Sequence, residues 1–170
     1  MASTDVWDEW QFVEPVIQGI PHLVVGEMAV NCYSPARYTR DFDLAVATED
    51  GKRLVEALQE HGFSVIGVLS IGGYSLQLAD RTIDVLYLYQ PWAQEALVHP
   101  KRVNGFPVID LPYLVLMKFE ASHGRDLSDV LVMLHRANEE QKAQITQVFQ
   151  KYANEDLADL KHLIDLSHHA

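Results

Sequence analysis

The residues Leu23-Val24-Val25-Gly26-Glu27-Met28-Ala29-Val30, followed by Arg37-Tyr38-Thr39-Arg40-Asp41-Phe42-Asp43-Leu44, pass from an apolar strand through a glycine into a short helix, then on to two spaced acids. Residues 22–25 have the length and apolar character of a strand, Gly26 supplies the turn, and residues 27–33 read as a brief helix stopped by Ser34-Pro35. Residues 41–47 open with alternating acid and apolar side chains and read as a second strand. On a strand, residues two apart share a face, so Asp41 and Asp43 project together with Cα atoms about 6.6 Å apart, while Phe42 and Leu44 turn to the core. Carboxylates held this close raise each other's cost of ionisation, and a divalent cation relieves it.

Outward from this stretch the chain alternates helix and strand, then becomes helical. Asp50-Gly51 opens a helix to residue 61 that Gly62 ends, and its Leu54, Val55 and Leu58 fall on one face. Strands are expected at 63–69, 74–78 and 82–89, with hairpin turns at Gly72-Gly73 and Asp80-Arg81. A short helix follows Pro91 as far as residue 98, and 102–109 is extended around Asn104-Gly105. Helical periodicity then covers 111–122, 126–137, 139–152 and 155–166. The expected fold class is α/β of the α+β type: a small mixed sheet with flanking helices over 1–110 and a helical region over 111–170 packed on it as one compact domain.

The third informative acid lies in this later part. Asp84 sits within Thr82-Ile83-Asp84-Val85-Leu86, where an acid in an apolar strand loses hydration unless something offsets it. A shared Mg²⁺ site built from Asp41, Asp43 and Asp84 would do so. Three carboxylates with substrate phosphates suit a cation that prefers oxygen ligands and keeps waters. The corresponding chemistry is phosphoryl or nucleotidyl transfer, in which two such ions stabilise the attacking and leaving oxygens.

Composition narrows the remaining choices. The 170 residues are 48% hydrophobic, enough for a real core, and carry a formal charge of −11, which argues against broad attraction to nucleic acid. No apolar run is long enough for a membrane span, and Cys32 is the only cysteine, so a soluble cytoplasmic protein without disulfides is expected. The histidines show no metal-binding spacing, Cys32 reads as a small core hydrophobe, and the strand tyrosines read as packing.

The glycine-and-acids stretch resembles the polymerase-beta-like nucleotidyltransferase superfamily, whose signature is a glycine followed by glycine or serine, about a dozen residues, then two acids flanking an apolar residue. Within it, Arg37, Thr39, Asp41 and Asp43 look like the R-x-T-x-D-x-D string of the AbiEii-like small bacterial proteins. Leu114-Val115-Leu116-Met117-Lys118-Phe119-Glu120-Ala121 and Arg125-Asp126-Leu127-Ser128-Asp129-Val130 resemble two further motifs of that group, in the expected order. The resemblance spans roughly residues 22–135 and implies a helical C-terminal region closing over a nucleotide. It further implies that Asp41 and Asp43 hold the metals, that Asp84 completes the site and helps activate an attacking hydroxyl, and that Lys118 reaches the triphosphate. Arg37 or Arg40 would neutralise phosphate charge, with Asp126 and Asp129 beside Lys118 or in the active site. The implied partners are an NTP, an RNA or protein acceptor, and a cognate toxin or antitoxin protein. One position departs from the pattern: Glu27 stands where glycine or serine is usual, and a carboxylate there would repel a phosphate. Glu27 either turns outward or adds a metal ligand, or else it marks a catalytically degenerate fold kept as a binding or regulatory module.

Overall fold

The computed structural model describes residues 6–122 and 127–169. Its centre is a seven-stranded mixed sheet in the order β3-β4-β5-β2-β1-β7-β6. The strands are β1 (His22–Val25), β2 (Phe42–Ala47), β3 (Ser64–Val68), β4 (Gly73–Leu78), β5 (Arg81–Leu88), β6 (Lys101–Val103) and β7 (Phe106–Val108). Strand β1 runs antiparallel to β2 and parallel to β7, and β2 runs parallel to β5. The parallel pairing of β2 and β5 follows from the crossover between them, which carries helix α3 (Thr48–Glu60) and the β3–β4 hairpin.

Two helical layers cover the sheet. On one face Phe42, Leu44, Ile83 and Val85 are fully buried, with Trp10 stacked on Phe42 at 4.7 Å between ring centroids. Trp10 belongs to a 3₁₀ turn (Val6–Trp10) that precedes the short helix α1 (Glu14–Ile17), with Pro15 in the first turn of α1. Helix α3 shares this face, where Gly51 lies so close to Tyr87 that a Cβ would meet the ring at 2.4 Å. On the opposite face Leu86 and Leu88, in line with Asp84, look across a groove of about 310 Å³ at Met117 and Glu120 of helix α5 (Leu111–Ser122). Leu111 through Leu116 are all buried, and the helix emerges only from Met117 onward. Beyond it come α6 (Ser128–Arg136), α7 (Glu139–Tyr152) and α8 (Leu157–Ser167). Asn138 caps α7 with a full capping box, its side chain accepting from the Gln141 N–H at 2.8 Å.

Several boundaries differ from the sequence reading for local reasons. Strand β2 begins at Phe42, not Asp41, because the Asp41 N–H is turned onto the Thr39 hydroxyl at 3.0 Å instead of into a strand ladder. Helix α2 covers only Gly26–Val30, after which the chain tightens into turns at Asn31 and Cys32. The piece around Asn104-Gly105 is a hairpin joining β6 to β7, with both turn residues at positive φ. A short helix α4 (Ala93–Val98) follows Pro91 as expected.

Candidate active site

The site starts from Gly26. It joins β1 to α2 at φ +67, a conformation costly for side-chain-bearing residues, and a Cβ there would lie 1.9 Å from Oδ2 of Asp43. The glycine therefore lets the chain pass directly over the Asp43 carboxylate, on the strand neighbouring its own. That close approach is the physical reason a glycine precedes the spaced acids.

Parallel pairing of β2 with β5 sets Asp43 beside Asp84 in register, roughly 4.8 Å apart along the sheet and on one face. On the far side of Asp84 the register continues to Ser75 of β4, whose hydroxyl donates to Asp84 Oδ1 at 2.5 Å. Asp41 stands just ahead of β2, exposed, with its backbone fixed by the buried Thr39. The Asp43 carboxyl is pushed up to about 7, chiefly by burial, with Asp84 and Asp41 acting in the same direction and Lys118 opposing them. Glu27 contributes a smaller push. The sequence-derived residues Asp41, Asp43, Asp84, Lys118, Gly26 and Glu27 thus share one electrostatic neighbourhood centred on Asp43.

Among the described residues, no three Asp, Glu, His or Cys side chains stand together as a ready cation cage. Asp41 precedes the strand, and one oxygen of Asp84 is engaged by Ser75. The donor set nonetheless suits a hard cation, because Asp43 is a carboxylate whose ionisation burial and neighbouring acids oppose and which Gly26 leaves uncovered by any side chain of its own.

Glu27 turns to Arg37. The guanidinium donates from Nε to Glu27 Oε1 at 2.8 Å and from Nη2 to Oε2 at 3.2 Å, and again from Nη2 to Asp129 Oδ1 at 2.9 Å. Asp129 Oδ2 in turn accepts from Lys118 Nζ at 3.1 Å. Glu27, Arg37, Asp129 and Lys118 form one chain of alternating charge that ties α2 and the following loop to α5 and α6. Arg40 takes a different course: it donates to the Tyr38 hydroxyl at 2.9 Å and answers electrostatically to Asp80 and Glu9, none of which surrounds Asp43. Asp126 lies outside the described residues. Cys32 is half-buried, and burial pushes its thiol up, which suits a packing role.

Sequence reading missed Ser75, and the cause is a turn. A β4–β5 turn centred on Asp80-Arg81 would set Gln77 opposite Asp84; the turn instead uses Ala79 at φ 55 with Asp80, pairing Leu78 with Arg81 and bringing Ser75 opposite Asp84. A non-glycine residue at positive φ leaves no composition signal, so the register was not readable.

No sequence-family profile matches the chain, and no curated protein does. Solved structures do. ANT(2'')-Ia, in complex with adenylyl-2''-tobramycin, superposes over 99% of this chain and 100% of its own, with a TM-score of 0.55 at 16% identity. This is the nucleotidyltransferase fold. A Thermotoga maritima protein described as a nucleotidyltransferase covers 76% of this chain and 92% of its own at a TM-score of 0.55 and 12% identity. The lincosamide antibiotic adenylyltransferase LnuA, with lincomycin bound, covers 86% of this chain and 96% of its own at 0.50 and 10% identity. The nucleotidyltransferase fold expected from the four motifs is therefore present along nearly the whole chain. Among the described residues, no helix is long and apolar enough to cross a membrane.

Proposed function

We propose that the protein is a Mg²⁺-dependent nucleotidyltransferase that moves an NMP from an NTP to a hydroxyl. The observation that carries the reading is the in-register pair Asp43 and Asp84 on one sheet face, with Gly26 laid over Asp43 and a carboxyl whose proton affinity is raised by burial and by neighbouring acids. In the transfer, the acceptor oxygen attacks the α-phosphorus, an O–P bond forms, the α–β phosphoanhydride bond breaks, and pyrophosphate leaves. Asp84, oriented by Ser75, receives the hydroxyl proton. Mg²⁺ held by Asp41, Asp43 and Asp84 would supply charge neutralisation at the phosphates. Lys118 and Arg37 bring positive charge to the same place and Thr39 fixes the approach to Asp41, while Arg40 and Asp129 serve the surrounding frame.

The acceptor is a hydroxyl of RNA, of protein, or of a small hydroxylated compound such as the antibiotics bound by the neighbours in fold. The chain's charge of −11 ranks polyanionic RNA last of the three. The AbiEii-like motif string supports a role paired with a cognate toxin or antitoxin protein. Incubation with each α-labelled NTP, Mg²⁺ and a panel of tRNA, bulk protein and aminocyclitol or lincosamide acceptors tests the reading: wild type labels one class and Asp43→Asn labels none. Absence of labelling with every NTP and every class sinks it.

A second reading, a degenerate fold retained as a regulatory module, is favoured by one observation. Arg37 and Lys118, the cations a triphosphate would meet, are already paired with Glu27 and Asp129. Calorimetry with each Mg-NTP separates the two readings, because a degenerate module gives no heat with wild type and gains binding only once Glu27→Ser removes the carboxylate that repels phosphate.

A further inference from the structure

The groove between the sheet and α5 lies on the same sheet face as the acids. Leu86 and Leu88 follow Asp84 at two-residue steps on β5, so the groove begins about 7 Å beyond Asp84 and reaches about 13 Å from it along the strand. Met117 and Glu120, three apart on one side of α5, form the opposite wall. Ile71 and Tyr89, 61% and 76% exposed, stand at the rim. A volume of about 310 Å³ is at the small end of ligand pockets and takes a small molecule, not a folded one.

Glu120 is the one charged residue lining this groove. Its half-buried carboxylate accepts a single shared N–H, from Trp92 Nε1 at 3.3 and 3.4 Å. Burial pushes the Glu120 carboxyl up, the Trp92 bond opposes this, and Asp156 and Glu155 add to the push. Among the described residues, no Lys, Arg or His forms an ion pair with it. A carboxylate in an apolar wall, held by one long hydrogen bond and with further acids nearby, is best offset by a cation that arrives with the ligand.

Resting on the nucleotidyl-transfer reading, we propose that this groove is the acceptor subsite and that Glu120 selects a small acceptor bearing an ammonium group on an apolar frame, with its hydroxyl directed at Asp84. The hydroxyl oxygen bonds the α-phosphorus and gives its proton to Asp84 as pyrophosphate leaves, while the ammonium keeps its protons and stays paired with Glu120. A nucleobase, neutral at pH 7, leaves the Glu120 charge without an offset, and the phosphates of an RNA are repelled by it.

The probes are 8-amino-octan-1-ol and octane-1,8-diol, which share a chain length and a hydroxyl and differ in the ammonium. Calorimetry on the full chain uses millimolar probe, because ligands of so few atoms bind weakly. The amino alcohol should bind wild type about tenfold or more tightly than the diol, and the two should bind Glu120→Gln alike, with the diol unaffected by the substitution. Leu86→Trp, which fills the groove, should abolish binding of both, with circular dichroism confirming the fold. Binding should persist in the presence of each α,β-methylene NTP, and in transfer assays Glu120→Gln should raise KM for the amino alcohol with kcat unchanged. A diol that binds as tightly as the amino alcohol, an amine preference that survives Glu120→Gln, or a methylene NTP that displaces the probe overturns the proposal. Because amine preference is read without catalysis, the two levels separate. Labelling of other acceptors without amine-selective binding refutes the groove alone, whereas selective binding with no labelling of any acceptor refutes the transfer reading and the acceptor role with it.

Discussion

At Asp43 two demands conflict: burial and neighbouring carboxylates disfavour its charge, and the proposed chemistry needs that charge. Its carboxyl is raised from 3.8 to about 7. A folded-state value above the unfolded one means the group costs stability as pH rises from about 4 through 7 and leaves stability untouched below that window. Asp43→Asn removes the cost. In metal-free buffer its thermal and denaturant stability should match wild type near pH 4 and exceed it by about 1–3 kcal/mol at pH 7.5, while nucleotidyl transfer is abolished. An Asn variant no more stable than wild type at the higher pH would show that the carboxylate is compensated. Gly26→Ala is the opposite case, since its Cβ needs the space that Asp43 Oδ2 occupies and its φ of +67 disfavours any side chain. It should lose about 1–3 kcal/mol by urea unfolding and lose transfer as well, because the aspartate must move.

Between elements, Asp129 is the joint. It lies on α6 and holds Arg37 from the loop after α2 and Lys118 from α5. These pairs are partly open to water, so their value is modest and screened. Asp129→Asn should lower the melting temperature by about one or two degrees at low ionic strength and by less in high salt. It should also tighten binding of Mg-NTP, measured by calorimetry, because both cations lose a competing carboxylate. Weaker binding would instead make Asp129 a positioning residue that holds Lys118 and Arg37 for the phosphates.

For the molecule as a whole, a cation that binds only the folded chain adds stability by linkage, and it must compete with the proton on Asp43. The melting temperature gained on adding Mg²⁺ should therefore be larger at pH 8 than at pH 5.5 and disappear with EDTA. A gain independent of pH would place the ion away from Asp43. Helix α5, which carries Lys118, is anchored by the buried residues Leu111 to Leu116 and packs against α7.

The sequence by itself determined most of the order of elements, the glycine turn, and Asp43 of β2 with its apolar neighbours inward, while the nucleotidyltransferase fold was implied by the motifs' resemblance to that superfamily. The first three rest on local physics: strand alternation, glycine's freedom at positive φ and helical periodicity act within a few residues. Tertiary structure alone decided that Asp84 lies beside Asp43, because their parallel pairing spans a helix and a hairpin. It also decided that Ser75, not Gln77, faces Asp84, through the backbone sign at Ala79, and that Glu27 spends its charge on Arg37. Registers between distant strands and pairings between distant charges depend on how the whole chain closes, and no local pattern encodes that closure.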